Sequence, residues 1–253
     1  MIHNPAVATD HVGMITWEFI AIGAVFGLAG SVKGVTGMGL PTVAISLLGL
    51  WMPLGQAAAL LVWPSLVTNL AQCWGRDAPR LLRLLWPMGL LLVAAAVVTP
   101  PLPATGASGR GILGGVLLAY GLWGLVRPAL PDLSRRPWFW GMAAGALTGA
   151  VTAWTGVFVM PLVPYLQALK LDKEALVQAL GMSFTVATLA LAWRLHGLAA
   201  AGAWQWPSVW ALFAAWTGLW CGARLRARLN GRAFQRGVFL SFVLLGAINL
   251  WWR

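Results

Sequence analysis

Acidic side chains are the scarcest chemistry in this chain. Only 6 of its 253 residues are Asp or Glu, and charged residues of both signs together make up 9%. Soluble domains carry about 25% charged residues, so a soluble globular fold is excluded. Cysteine is down to two residues, Cys73 and Cys221, both in or beside apolar segments. They read as small apolar side chains and carry no information on redox compartment. The three histidines (His3, His11, His196) form no cluster with cysteines or acids, so no metal site is visible. No G-x-x-x-x-G-K-[ST] motif occurs, which disfavours ATP-driven chemistry. No cofactor is implied. The stretch before the first apolar run has no basic residue, unlike a cleaved signal peptide.

What the chain does contain is apolar surface. It is 60% hydrophobic with a mean hydropathy of +0.79. That describes a polytopic protein of a cell inner membrane, in contact with the lipid bilayer. The formal net charge of +11 would suggest nucleic acid for a soluble chain. Here it points to Arg-rich cytoplasmic loops, and no nucleic-acid partner is expected.

Apolar segments run over about 17–32, 40–51, 55–74, 82–99, 111–126, 138–151, 157–169, 175–193, 205–222 and 236–252. A membrane span needs about 20 residues. The segments 17–32, 40–51, 138–151 and 157–169 are too short alone, and each adjacent pair is too long together. One helix over Trp17–Trp51 would be roughly 50 Å long at ~1.5 Å per residue. Each pair is therefore expected to be a helical hairpin broken at a Gly-rich tip.

The positive charges support this. With hairpins, one membrane face holds Arg76, Arg80, Arg83, Arg127, Arg135, Arg136, Lys170, Lys173 and the Arg224–Arg236 cluster. The other face holds only Arg110, Arg194 and Arg253. Eight plain crossings would divide the same residues almost evenly. The positive-inside rule prefers the hairpins. Both termini then lie outside and the Arg-rich loops are cytoplasmic. Each half becomes one hairpin plus three spans, and an odd number of spans inverts the second half. The expected fold is all-α and transmembrane, with inverted repeats over 17–127 and 138–252 and a polar, Pro-rich linker near 127–137. Thr36-Gly37 aligns with Thr155-Gly156, and Ala59, Ser65 and Thr68 with Ala179, Thr185 and Thr188.

Lys33 is the one charge in an apolar stretch, FGLAGSVKGVTGMGLP. Charges at membrane depth mark functional sites, and broken helices in matching halves point to a transporter's binding site. Gly30, Gly34, Gly37, Gly39 and Pro41 place the break around Lys33 itself. With no carboxylate inside, an anionic ligand is expected. The reading places it between the two tips, on the Gly37 and Gly156 N–H groups and the Thr36 and Thr155 hydroxyls, with Lys33 supplying charge. Asn69, Gln72, Gln178, Ser183 and Thr185 would face the same cavity. Blander readings stand beside it. Lys33 would snorkel to an interface. Thr36 and Thr155 would be helix caps. Asn69 and Gln72 would bind helix to helix. The G-x-x-x-G spacings, such as Gly23/Gly27 and Gly141/Gly145/Gly149, suit close helix packing.

The two half-repeats, Gly23–Pro41 and Gly141–Pro161, each carry a G-x-x-x-G run, a Gly/Thr break and a closing Pro. In this they resemble the sulfite exporter TauE/SafE family of membrane transporters, across about 17–252. The resemblance implies transport of small sulfur oxyanions or organosulfonates without ATP, most simply export of sulfite or a sulfonate. An anion channel is the nearest alternative. Ser108 with His196 loosely resembles an intramembrane protease dyad, which would need the hydroxyl within reach of the imidazole. A lipid-handling scaffold is a third class. A homodimer is compatible with the sequence.

Overall fold

The computed structural model describes residues 5–100, 107–126, 128–195, 206–226 and 231–251. Among these residues all regular structure is helical. The helices are α1 (Pro5–Thr36), α2 (Leu40–Leu48), α3 (Leu54–Cys73), α4 (Ala78–Val98), α5 (Ala107–Val126), α6 (Pro137–Thr155), α7 (Leu162–Ala168), α8 (Lys173–Arg194), α9 (Trp206–Arg226) and α10 (Gly231–Trp251). Each matches one apolar segment of the sequence. Six are long and apolar enough to cross a membrane, including Trp17–Thr36 within α1. α6 and α9, at 19 and 21 residues, are of similar length.

The hairpins differ from the expectation of two short arms. The first arms, α1 and α6, are of full spanning length. Only the second arms are short, with 9 residues in α2 and 7 in α7. The break around Lys33 is also shorter than the glycines suggest. α1 continues through Gly30, Lys33 and Gly34 and stops at Thr36. Gly37 and Gly39 then take positive φ values of 84° and 101°, a region open to glycine without a Cβ penalty. Gly156 does the same for α6, at φ 72°, and its N–H caps the helix on Thr152 O at 2.9 Å.

Gly30 and Gly34 serve packing instead. A Cβ on either would overlap backbone atoms of α9, at Ala215 and at Leu219. Gly218 and Gly222 return the contact against Gly27 and Ser31 of α1. Gly145 and Gly149 of α6 meet Met88 and Leu92 of α4 in the same way. Small residues let helix backbones approach where no hydrophobic driving force separates helix from lipid. The main pairings are α1 on α9, α6 on α4, α3 on α8 and α5 on α10. Exchanging the two halves of the chain leaves this set of pairs unchanged.

Tryptophans crowd the helix ends. Trp17, Trp74, Trp206 and Trp251 are exposed, as interface anchors are. Trp154, near the end of α6, donates its Nε1–H to Pro100 O at 3.2 Å, in the loop after α4.

These contacts set a stability test. Gly145→Val and Gly218→Val are expected to lower the melting temperature of the detergent-solubilised protein, at about 1–3 kcal/mol or more each for overpacking. Gly115→Ala, with nothing within 4 Å of the new Cβ, is expected to change it little. Equal melting temperatures for all three would overturn this packing account.

Candidate functional site

Lys33 lies in the last turn of α1 and is 1% exposed. It does not snorkel. Its Nζ donates to Thr68 Oγ1 at 3.1 Å and to Asn69 Oδ1, both on α3. Both partners are neutral.

An ammonium is a donor only, and that fixes the direction of every bond beyond it. Asn69 must present its oxygen to Lys33, so its Nδ2 points away and donates to Ser65 Oγ at 3.0 Å. Ser65 and Thr188 share a hydrogen bond of 3.0 Å. The Thr188 hydroxyl is already spent on Phe184 O at 2.7 Å, so Ser65 is the donor. Thr68 likewise donates to Pro64 O at 2.6 Å, the site of a proline inside α3. One chain of donors thus runs from α1 through α3 to α8. Ser65, Thr68, Asn69 and Thr188 are each fully buried.

The remaining sequence-predicted residues fall into three groups. Gln72, Gln178 and Thr185 lie near the same ends of α3 and α8. Gln72 Nε2 donates to Gly37 O at 3.2 Å, while its Oε1 is buried without a partner. Gln178 Nε2 donates to Cys73 O at 2.8 Å. Thr185 contacts Cys73 Sγ at 3.5 Å.

The tip groups are already engaged. The Gly37 N–H bonds Lys33 O at 2.7 Å and the Gly156 N–H bonds Thr152 O at 2.9 Å. Both close the last turns of their helices, so neither is an open anion donor here. Thr36 donates to Val32 O and Met38 O at 2.8 and 2.7 Å. Thr155 donates to Val151 O at 2.8 Å and accepts from the Val157 N–H at 3.1 Å. Both hydroxyls cap turns. The open backbone donors belong by position to the first turn of α2, at Leu40 and Thr42.

The third group is displaced. The tips do not meet. Gly37 sits by Gln72, whereas Gly156 sits by Ile45 and Ala58. Ala58 and Gln72 are about 21 Å apart along α3 at ~1.5 Å per residue. Thr155 and Gly156 are therefore remote from Lys33. Ser183 faces a groove between α4 and α8, beside Met88 and Gly89, with no partner for its hydroxyl. Sequence reasoning did not assign Ser65, Thr68 or Thr188 to the site. Their signal was the repeat alignment that pairs Ser65 with Thr185 and Thr68 with Thr188. His196 and the side chain of Ser108 lie outside the described residues.

A buried charge is costly unless paired. The described acids, Glu18, Asp77, Asp132, Asp172 and Glu174, are none of them buried. The site therefore offers a desolvated cation with neutral oxygen ligands, beside a hairpin turn.

The ten helices of the described residues, six of them of spanning length and composition, define a polytopic helical membrane protein. Compared with known families, residues 22–250 match the family described as sulfite exporter TauE/SafE. The chain belongs to that family of membrane transporters. Comparisons with curated proteins and with solved structures matched nothing.

The donor chain gives a direct test. Asn69→Leu removes one of the two Lys33 acceptors and is expected to destabilise the protein by about 1–3 kcal/mol. Lys33→Met removes the buried charge and is expected to leave the melting temperature unchanged or raise it. In the double variant the Asn69→Leu penalty should shrink. An undiminished penalty would show that Asn69 acts independently of Lys33.

Proposed function

We propose that this protein is a secondary transporter that exports a small sulfur oxyanion, sulfite or an organosulfonate, and binds it at Lys33. The observation that carries this reading is the buried Lys33 amine, whose hydrogen-bond partners among the described residues are the neutral Thr68 and Asn69. A substrate oxyanion supplies the missing negative charge. Gln72, beside the first hairpin turn, adds a side-chain amide, and Leu40 and Thr42 add N–H groups at the positive end of α2. The pairing of helices under exchange of halves supports inverted repeats over 17–127 and 138–252. In that arrangement the first turn lies toward the Arg-rich, cytoplasmic face and the second toward the opposite face. Movement of one hairpin against the α3–α8 pair then exposes Lys33 to one side at a time.

Binding and transport are tested together. Sulfite or a small aliphatic sulfonate is expected to raise the melting temperature of wild type, and Lys33→Met is expected to lose that shift. In proteoliposomes, wild type is expected to show saturable uptake accelerated by the same anion on the far side. Lys33→Met should be inactive. Flux without counter-transport would instead favour the anion channel, and an unaltered response in Lys33→Met would remove Lys33 from the site.

A further inference from the structure

We propose that the cavity beside the first hairpin turn is a second binding site, for an amphiphilic organic anion with a flat apolar body. The cavity has a volume of about 230 Å³. At roughly 30 Å³ per liquid water, that is room for about seven waters. Its walls come from α5, α10, the turn after α1 and the linker before α6. Four rings line it, those of Tyr120, Trp123, Phe239 and Phe242. Tyr120 stands at their centre, with ring centroids 5.8 Å from Trp123, 5.5 Å from Phe239 and 5.7 Å from Phe242. Its hydroxyl reaches Met38 Sδ at 3.2 Å, so the ring cluster touches the hairpin turn itself. Offset and edge contacts of this kind accept a flat ligand ring.

The polar side of the cavity is uncharged. Thr36, Gln167 and Gln235 line it, and no described lining residue is acidic or basic. Charge lies beside lining residues rather than among them. Lys170 donates its Nζ to Leu130 O at 3.4 Å, and Leu130 lines the cavity. The Lys170 backbone is left-handed, with φ 53°, a strained state for a residue with a Cβ. The Leu130 bond places the ammonium against one of the residues that line the cavity. Arg236, next to Gln235, is exposed. One acid shares the linker. Asp132 is exposed, and the Ser134 hydrogen bonds, then Lys170 and Arg135, hold its carboxyl below the usual carboxylate range. The anionic group of the ligand would lie at Lys170 and its body among the rings. None of Lys33, Ser65, Thr68, Asn69 and Thr188 lines this cavity, so the proposal goes beyond the reading of the Lys33 site.

Benzenesulfonate and its neutral isostere methyl phenyl sulfone separate the possibilities, by thermal shift on the full purified chain at matched ionic strength. Benzenesulfonate is expected to stabilise wild type and Lys33→Met equally. Phe239→Leu and Lys170→Gln are expected to weaken it roughly tenfold or more, while both keep the wild-type response to sulfite. The sulfone should bind far more weakly. Lys170→Gln changes an exposed side chain and decides the matter alone if Phe239→Leu does not fold. Equal binding of the sulfone, or full benzenesulfonate binding by Lys170→Gln, would overturn the proposal. Loss of benzenesulfonate binding in Lys33→Met would also overturn it, because the ligand would then belong to the Lys33 site. If sulfite stabilises nothing while benzenesulfonate behaves as expected, the Lys33 reading fails and this one stands.

Discussion

A lysine ammonium can be taken out of water only where other oxygens replace the water. In this protein Lys33 is taken out by two neutral acceptors on one helix, and those acceptors then dictate what lies behind them. Because the ammonium only donates, the Asn69 amide has one allowed orientation. Because Asn69 must then donate from its nitrogen, Ser65 must accept and pass its own proton on to Thr188. Three helices are registered by this single requirement. The same requirement leaves Lys33 with no counter-charge among its described hydrogen-bond partners.

The scaffold makes that burial possible by bringing backbones unusually close. Glycines of α1 and α9 interlock, and those of α6 and α4 repeat the arrangement in the other half. Two rigid pairs result, with α3 and α8 crossing between them. The short second arms α2 and α7 are attached to this frame through glycine turns. A turn with two left-handed glycines, Gly37 and Gly39, can change its dihedral angles more cheaply than a helix can bend.

The two halves are alike in packing but not in chemistry. At the spacing that aligns Thr36 with Thr155, Lys33 falls on Thr152. Thr152 is fully buried and bonds only its own helix, donating to Thr148 O at 2.7 Å. Asn69 falls near Leu189, which is exposed. One half supplies the charge and its main acceptors, and the other contributes Thr188, Gln178 and Thr185 from a facing helix. A symmetric site between two equivalent tips is therefore not what this chain builds.

Much of this was legible in the residues. Ten apolar segments became ten helices because backbone polar groups in lipid must be satisfied within a helix, and hydropathy records that demand locally. The lone internal lysine was visible for the same reason. The role of Gly30 and Gly34 was not, because a glycine that breaks a helix and one that admits a neighbouring helix look identical until the neighbour is known. Nor was the separation of the tips, since the length of each first arm decides how deep its tip reaches, and α1 and α6 run the full span instead of the short arms expected. Ser183 was grouped with Gln178 and Thr185 by proximity in sequence, yet on a helix neighbouring positions point to different faces. Hydropathy and glycine spacing alone specify a helical membrane protein, its segments, its family and a lysine inside an apolar segment. What that lysine touches follows from packing alone, because Thr68 and Asn69 lie on α3, a separate helix that meets Lys33 only once the chain has folded back.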